Sequence, residues 1–296
     1  MNFRLIKDKI AGSTMLVLTV LSVMLAALVG WGLYYKSIPL LEQNSLWDLL
    51  SSSVWKPSKG KFGFFAFIMG TLWVTGIAIV LALPLCLLST IFISEYAHPR
   101  LRKIIVPIVD LLSGIPPVVF GVWGVLFVIP FIELYIAPSF VEYPMGYGVL
   151  AGGIVLGVMI FPLLISLILE VFSAVPQDMR NASLSIGATQ WQTVKYVLLK
   201  KSLPGIIASS VLAISRAFGE TIAVLMVCGS VAIVPQSVFD SGYPLPALIA
   251  NNYGEMLSAP EYESALLFAA FLLFVIIFLF NAASRIVLGR IKKKIE

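Results

Sequence analysis

Apolar residues fill this chain in six long stretches, and charge gathers between them. Uncharged runs cover Ile10–Tyr35, Phe62–Ser94, Leu111–Ile132, Tyr143–Leu169, Thr221–Phe239 and Ser264–Ser284. About 20 apolar residues cross the hydrocarbon core of a bilayer as a helix. The pattern predicts six transmembrane helices, near residues 13–35, 64–93, 104–131, 146–171, 203–233 and 264–285. The fifth is interrupted by Arg216 and Glu220, so it rests on overall apolarity. The second exceeds membrane thickness and must tilt or continue into an interfacial segment. The expected fold class is an all-α integral membrane protein.

One polar stretch between two of these runs is built as structure. It reads Val175 to Trp191. Pro176 suits a first helical position, where its missing N–H costs nothing. Met179, Ala182, Ser183 and Ile186 recur at helical spacing and form a narrow stripe of small and apolar residues. Gly187 permits the positive φ of a helix stop. Thr189 with Gln192 three residues on has the form of a capping box, which starts a second helix. A helix–Gly–helix elbow with a small-residue face suits the groove of another protein. An ordinary amphipathic surface helix has the same periodicity.

Composition agrees with the membrane reading. Hydrophobic residues are 59% of the chain and charged residues 12%, far from the balance of soluble domains. Charge then gives orientation. Arg4, Lys7 and Lys9 precede the first span, and Arg100, Arg102 and Lys103 follow the second. Arg180, Lys195, Lys200 and Lys201 follow the fourth, and Arg285, Arg290, Lys292, Lys293 and Lys294 follow the sixth. The opposite side has Lys36, Lys56, Lys59 and Lys61. The positive-inside rule therefore puts both termini and the elbow in the cytoplasm. The net charge of +5 is a topology signal rather than a nucleic-acid footprint. The organisation expected is a cytoplasmic N-terminus (1–12), a first helix (13–35), an extracytoplasmic loop (36–63), a core (64–285) containing the loop 175–201, and a basic tail (286–296).

The first apolar run is too long for a signal peptide and lacks a small-residue cleavage site, so it reads as a retained anchor. Cys86 and Cys228 both fall inside spans and read as small apolar residues. His98 reads as a solvated loop residue. There is no metal-ligand cluster, no hydrolase triad and no phosphate-cradling P-loop motif. Any ATP chemistry must come from a partner.

Two stretches carry candidate chemistry. Arg216 and Glu220 stand at i and i+4, one helical turn apart, in an otherwise apolar span. Charges there are costly and face the protein interior or a watery cavity. They are either a self-neutralising packing pair or part of a polar pathway. Arg suits an oxyanion, because its planar fork donates paired hydrogen bonds and stays charged. Glu220 would hold that fork in place. The second stretch runs from Asp110 to Gly121. Ser113 and Gly114 precede Pro116 and Pro117, which break a helix ladder. Freed backbone groups at membrane depth are tolerated only inside protein or facing a cavity. Asp110 and Ser113 therefore join Arg216 and Glu220 as candidate pathway residues, although a simple proline kink fits the same residues.

Taken together these residues resemble a known family. The elbow is similar to the cytoplasmic coupling loop of ABC importer permeases, whose signature is Glu-Ala-Ala, three residues, then Gly. Here it reads Asn181, Ala182, Ser183, then Gly187 and Ala188. Family members often carry Pro thirteen residues after the Gly; Lys200 stands there, with Leu203-Pro204 later. Gly70-Thr71-Leu72, Pro84-Leu85, Ser94-Glu95-Tyr96, Ser113-Gly114-Ile115-Pro116, Val118-Val119-Phe120-Gly121 and Arg216-Ala217-Phe218-Gly219-Glu220-Thr221 look like the phosphate-specific branch. Trp55-Lys56-Pro57 with Phe62-Gly63 looks like its PstC-type subunit. The resemblance covers roughly Trp55 to Ser284. It implies a type I importer (MetI-like) fold in the inner membrane of a prokaryote. It implies a homologous PstA-type second permease, two ATPase subunits that hold ATP and Mg, and an extracytoplasmic phosphate-binding protein. This chain would bind no cofactor. Asn181, Ala182, Ser183, Gly187 and Ala188 would contact the ATPase, and Arg216 would contact phosphate or set a gate through Glu220. An importer of molybdate, sulfate or phosphonate, or a secondary transporter, remains the alternative.

Overall fold

The computed structural model describes residues 2–142, 145–254 and 260–295. The side chains of residues 2–6, 260 and 291–295 are not part of that description, so the charged groups of Arg4, Lys292, Lys293 and Lys294 lie outside it. Among the described residues, six helices are long and apolar enough to cross a membrane.

The first, α1 (Asn2–Gln43), runs past the expected end at 35. The helical part between residue 36 and Gln43 thus belongs to what the sequence suggested as loop. Most of α1 is exposed, with an apolar surface suited to lipid. Its second half rests on the last long helix. There Gly30 faces Phe274, the Tyr34 and Phe271 rings lie 5.7 Å apart, and Lys36 Nζ stands 3.8 Å from Glu263. The short helix α2 (Leu46–Ser51) and a two-strand hairpin, β1 (Trp55–Lys56) and β2 (Lys61–Phe62), follow. Trp55 meets Phe62, Phe64 and Phe67 edge-on at 5.0–5.5 Å, so this segment closes a small apolar core of its own.

The centre of the fold is the pair α3 (Phe65–Tyr96, ending in a π turn) and α6 (Val149–Ser173). Small residues let their backbones approach, as membrane helices require in the absence of a hydrophobic drive between spans. Gly152, Gly153 and Gly157 face Val74, Ile77 and Ala78. A Cβ on Gly153 would overlap the Ile77 side chain. Gly153→Leu is expected to cost about 1–3 kcal/mol or more by overpacking. The check is a lower recovery of folded protein and a lower melting midpoint in detergent.

Two spans differ from the sequence expectation. The third was expected to begin at 104. Instead α4 (Pro99–Ser113) is a separate helix, and the spanning helix α5 starts at Pro117 and runs to Ser139. Pro116 and Pro117 lack the N–H groups that would carry one helix into the other, and α4 carries Arg100, Arg102, Lys103 and Asp110, too much charge for lipid. His98 caps α4 by accepting from Arg100 N at 3.3 Å, so it is more than a solvated loop residue. The fifth span was expected over 203–233. It begins earlier, as the continuous helix α8 (Gln190–Phe218), and stops at Gly219. It resumes only as α9 (Ile222–Val227). Gly229 and Ser230 then take left-handed φ values of 84° and 52°, and Asp240 binds the N–H groups of Gln236 and Ser237 at 2.8 Å. That is turn chemistry, and no helix continues through it. The chain re-enters through α10 (Leu245–Asn252), whose first N–H donates to Thr71 Oγ1 at 2.9 Å, and leaves through α11 (Pro260–Ile295). Spans two, four and six lie where the apolar runs put them.

Candidate functional site

The elbow is formed by α7 (Gln177–Ser185) and the start of α8. Pro176 was expected at the first helical position; it stands one place earlier, as the N-cap, with φ −56° and ψ 136°. Gly187 takes φ +87°, the left-handed stop that its sequence position called for. The capping box is complete. Gln192 N donates to Thr189 Oγ1 at 3.2 Å and Thr189 N donates to Gln192 Oε1 at 2.8 Å. Ser183 Oγ lies 2.9 Å from Thr193 Oγ1 and ties the two arms. Ala188 N donates to Ser183 O at 3.3 Å.

This geometry turns apolar groups outward. Met179, Leu184 and Trp191 are exposed, and Ile186, beside the turn, is 85% exposed. Asn181 and Ala182 are exposed on the same helix. A capped turn that presents bare apolar side chains at one end of a bundle has the form a docking element needs.

One residue here went unnoticed in the sequence. Arg180 counted only as a loop charge, yet it is buried. It donates to Val175 O and Phe172 O at 2.8 Å, and Nη2 stands 3.3 Å from Glu95 Oε1. The clue available was Ser94-Glu95-Tyr96, a carboxylate at the end of a span on the same side.

The candidate pathway residues fall into two groups. Asp110 and Ser113 sit on α4. Ser113 Oγ donates to Asp110 O at 2.7 Å, and Ser166 Oγ of α6 donates to Asp110 Oδ1 at 2.9 Å. Asp110 and Ser166 border a cavity of about 970 Å³ that is also lined by Arg102, Lys103, Glu170 and Ser173; Ser113 is not part of its lining. Arg216 and Glu220 lie at the break of the fifth span. The expected pairing of these two on one helical face does not form. The helix ends at Phe218, Glu220 Oε1 instead accepts from Ala223 N at 3.4 Å, and among the described residues no ion pair joins it to Arg216. Arg216 is exposed in the last turn of α8, where the helix dipole favours a cation.

The two breaks are related through packing. A Cβ on Gly121 would meet Ala223 Cα at 3.2 Å, and one on Gly124 would meet Val227 Cγ1 at 2.8 Å. Residue numbers rise together along α5 and α9, so the helices run parallel and both broken starts lie at the same end of the pair. Among the described residues no hydrogen bond or ion pair links Asp110 or Ser113 to Arg216 or Glu220.

Residues 82–293 match the model of the binding-protein-dependent transport system inner membrane component family. The chain belongs to that family. Its relatives include a probable phosphate transport system permease protein PstC of Methanocaldococcus jannaschii, 34% identical over 82% of this chain and 81% of the relative. A phosphate transport system permease protein PstC of Xylella fastidiosa is 32% identical over 82% and 79%. A probable ABC transporter permease protein YqgH of Bacillus subtilis is 35% identical over 83% and 78%. In fold the permease is similar to a chain of the MetNI methionine ABC transporter, with a TM-score of 0.57 at 21% identity, over 77% of this chain and 94% of that one. A chain of the bacterial alginate ABC transporter, solved with its pentasaccharide-bound periplasmic protein, gives 0.53 at 16% identity, over 87% and 95%. These are permeases, so the chain is a transport component rather than an enzyme.

Proposed function

We propose that this permease is the PstC-type membrane subunit of an ATP-driven importer of inorganic phosphate. The observation that carries the reading is α8. One continuous helix of 29 residues, with a π turn at Val194–Leu198 and Pro204 within it, begins in the elbow at Gln190 and ends beside Arg216. At 1.5 Å per residue it is a rod about 40 Å long. A push on the elbow therefore moves the helix that bears the oxyanion-binding side chain, with no intervening loop to absorb it.

In this reading two ATPase subunits hold ATP and Mg, and their closure displaces the elbow seated in a groove of one of them. A PstA-type permease completes the pathway. An extracytoplasmic binding protein delivers phosphate to the face opposite the elbow. The elbow side is cytoplasmic, as the distribution of Lys and Arg favours, and the membrane is the inner membrane of a prokaryote. Arg216 offers a permanent charge and paired donors to phosphate, and its exposure keeps that binding weak enough for release. Phosphate is preferred over sulfate or molybdate because several relatives are named as phosphate permeases. Co-purification is the first test. A stable ATPase partner, whose removal stops uptake, is expected; full uptake by the permeases alone would make this a secondary transporter.

A further inference from the structure

Arg180 and Glu95 form a joint that the elbow's docking role does not require. Arg180 is only 8% exposed, and its guanidinium touches three elements. Nη2 donates to Phe172 O in the last turns of α6, and Nη1 donates to Val175 O beyond its end. Nη1 also reaches Gln177 Oε1 at 3.3 Å, inside the elbow. Nη2 stands 3.3 Å from Glu95 Oε1, at the end of α3. Glu95 holds the other arm as well, because its carbonyl accepts from Gln190 Nε2 at the start of α8. Residue 95 thus grips α7 through its side chain and α8 through its backbone.

Two features suit this joint to movement. First, it is half engaged. The Arg180 Nε–H is buried and has no partner among the described residues, while Glu95 Oε1 is shared with Ser94 Oγ at 2.8 Å. An Arg–carboxylate pair at its best donates two parallel hydrogen bonds. A small rotation of the Glu95 carboxylate toward Nε would complete that fork. Second, Glu95 lies in the π turn Phe92–Tyr96 that ends α3, an irregularity often found at functional sites. A cavity of about 590 Å³, bordered by Glu95, Arg180, Gln190 and Thr193, leaves the pair room to rearrange.

We propose that the Glu95–Arg180 pair, with Gln190, is the joint through which the elbow moves the second span, so that Glu95 is a positioning residue for coupling ATP hydrolysis to transport. The proposal rests on the reading of the elbow as the ATPase contact. A static staple would only hold the elbow folded. A joint sets how much transport each hydrolysis event delivers, and the two roles separate in experiment.

The test uses the full complex in lipid vesicles, with ATP hydrolysis and labelled phosphate uptake measured on the same preparation. Glu95→Gln keeps the size and an acceptor oxygen but removes the charge. It is expected to assemble at the wild-type level and hydrolyse ATP, while uptake per ATP falls by about tenfold, within the usual range of coupling between sites. Glu95→Asp should restore part of the ratio, and Gln190→Ala, which cuts the second strap, should lower it in the same direction. An unchanged ratio in Glu95→Gln overturns the proposal, including the case where hydrolysis and uptake fall together. Loss of the complex in all three variants also overturns it, in favour of a staple. If the wild-type complex itself takes up no phosphate with ATP, the proposed function has failed, and that outcome is visible before any variant is made.

Discussion

Gly187→Val is expected to leave the permease in the membrane and to reduce ATP-driven phosphate uptake more than about tenfold. The reason is conformational, since among the described residues nothing beyond its own chain neighbours lies within 4 Å of a Cβ built at this position. Gly187 holds φ +87°, where a β-branched residue is strained by about 1–3 kcal/mol. The strain is relieved by turning α7 relative to α8, which displaces Ile186 and the apolar face beside it. Gly187→Pro should be more severe. Proline cannot reach a positive φ, and it removes the N–H that donates to Leu184 O at 3.0 Å. Asparagine tolerates the left-handed region better than other side chains, so Gly187→Asn should keep most uptake. Uptake assays with immunodetection of the membrane-bound protein check all three. Full uptake by Gly187→Pro would remove the elbow from the coupling account.

Arg216→Gln is the second large effect. It is expected to abolish uptake while the protein assembles normally. Arg216 is exposed and among the described residues has neither ion pair nor hydrogen bond through its side chain. Removing its charge therefore breaks no packing. What folding loses is its interaction with the end of α8, about 0.3–1 kcal/mol. The passing anion loses a permanently charged, two-pronged donor. The packing alternative predicts the reverse, a protein that disappears from the membrane. It also predicts that exchanging the two charges, Arg216→Glu with Glu220→Arg, restores assembly. The broken helix between them gives no reason to expect that.

Local chemistry was the part of the molecule legible in the sequence. Gly187 and the Thr189–Gln192 box act within a few residues, so their composition declares the turn. Long apolar runs likewise declare spans, because the bilayer sets their length. The errors lie where a local pattern met a break. Arg216 and Glu220 have helical spacing, but Gly219 ends the helix between them, and spacing alone cannot show that. Pro116 and Pro117 do break the helix ladder as read, but they separate two helices where one span over 104–131 was expected. Arg180 was hidden for a different reason. Its partners are Glu95 of another span and backbone carbonyls of α6, so its burial is a tertiary property that a loop sequence does not carry. The division of Asp110 and Ser113 from Arg216 and Glu220 is tertiary in the same sense.

The most direct measurement is uptake of labelled phosphate into vesicles that hold the complete complex, with the binding protein outside and ATP trapped within. The account predicts uptake that requires ATP, is competed by unlabelled phosphate, and is not competed by sulfate or molybdate. Uptake that proceeds without ATP, or sulfate or molybdate transported as well as phosphate, would contradict it.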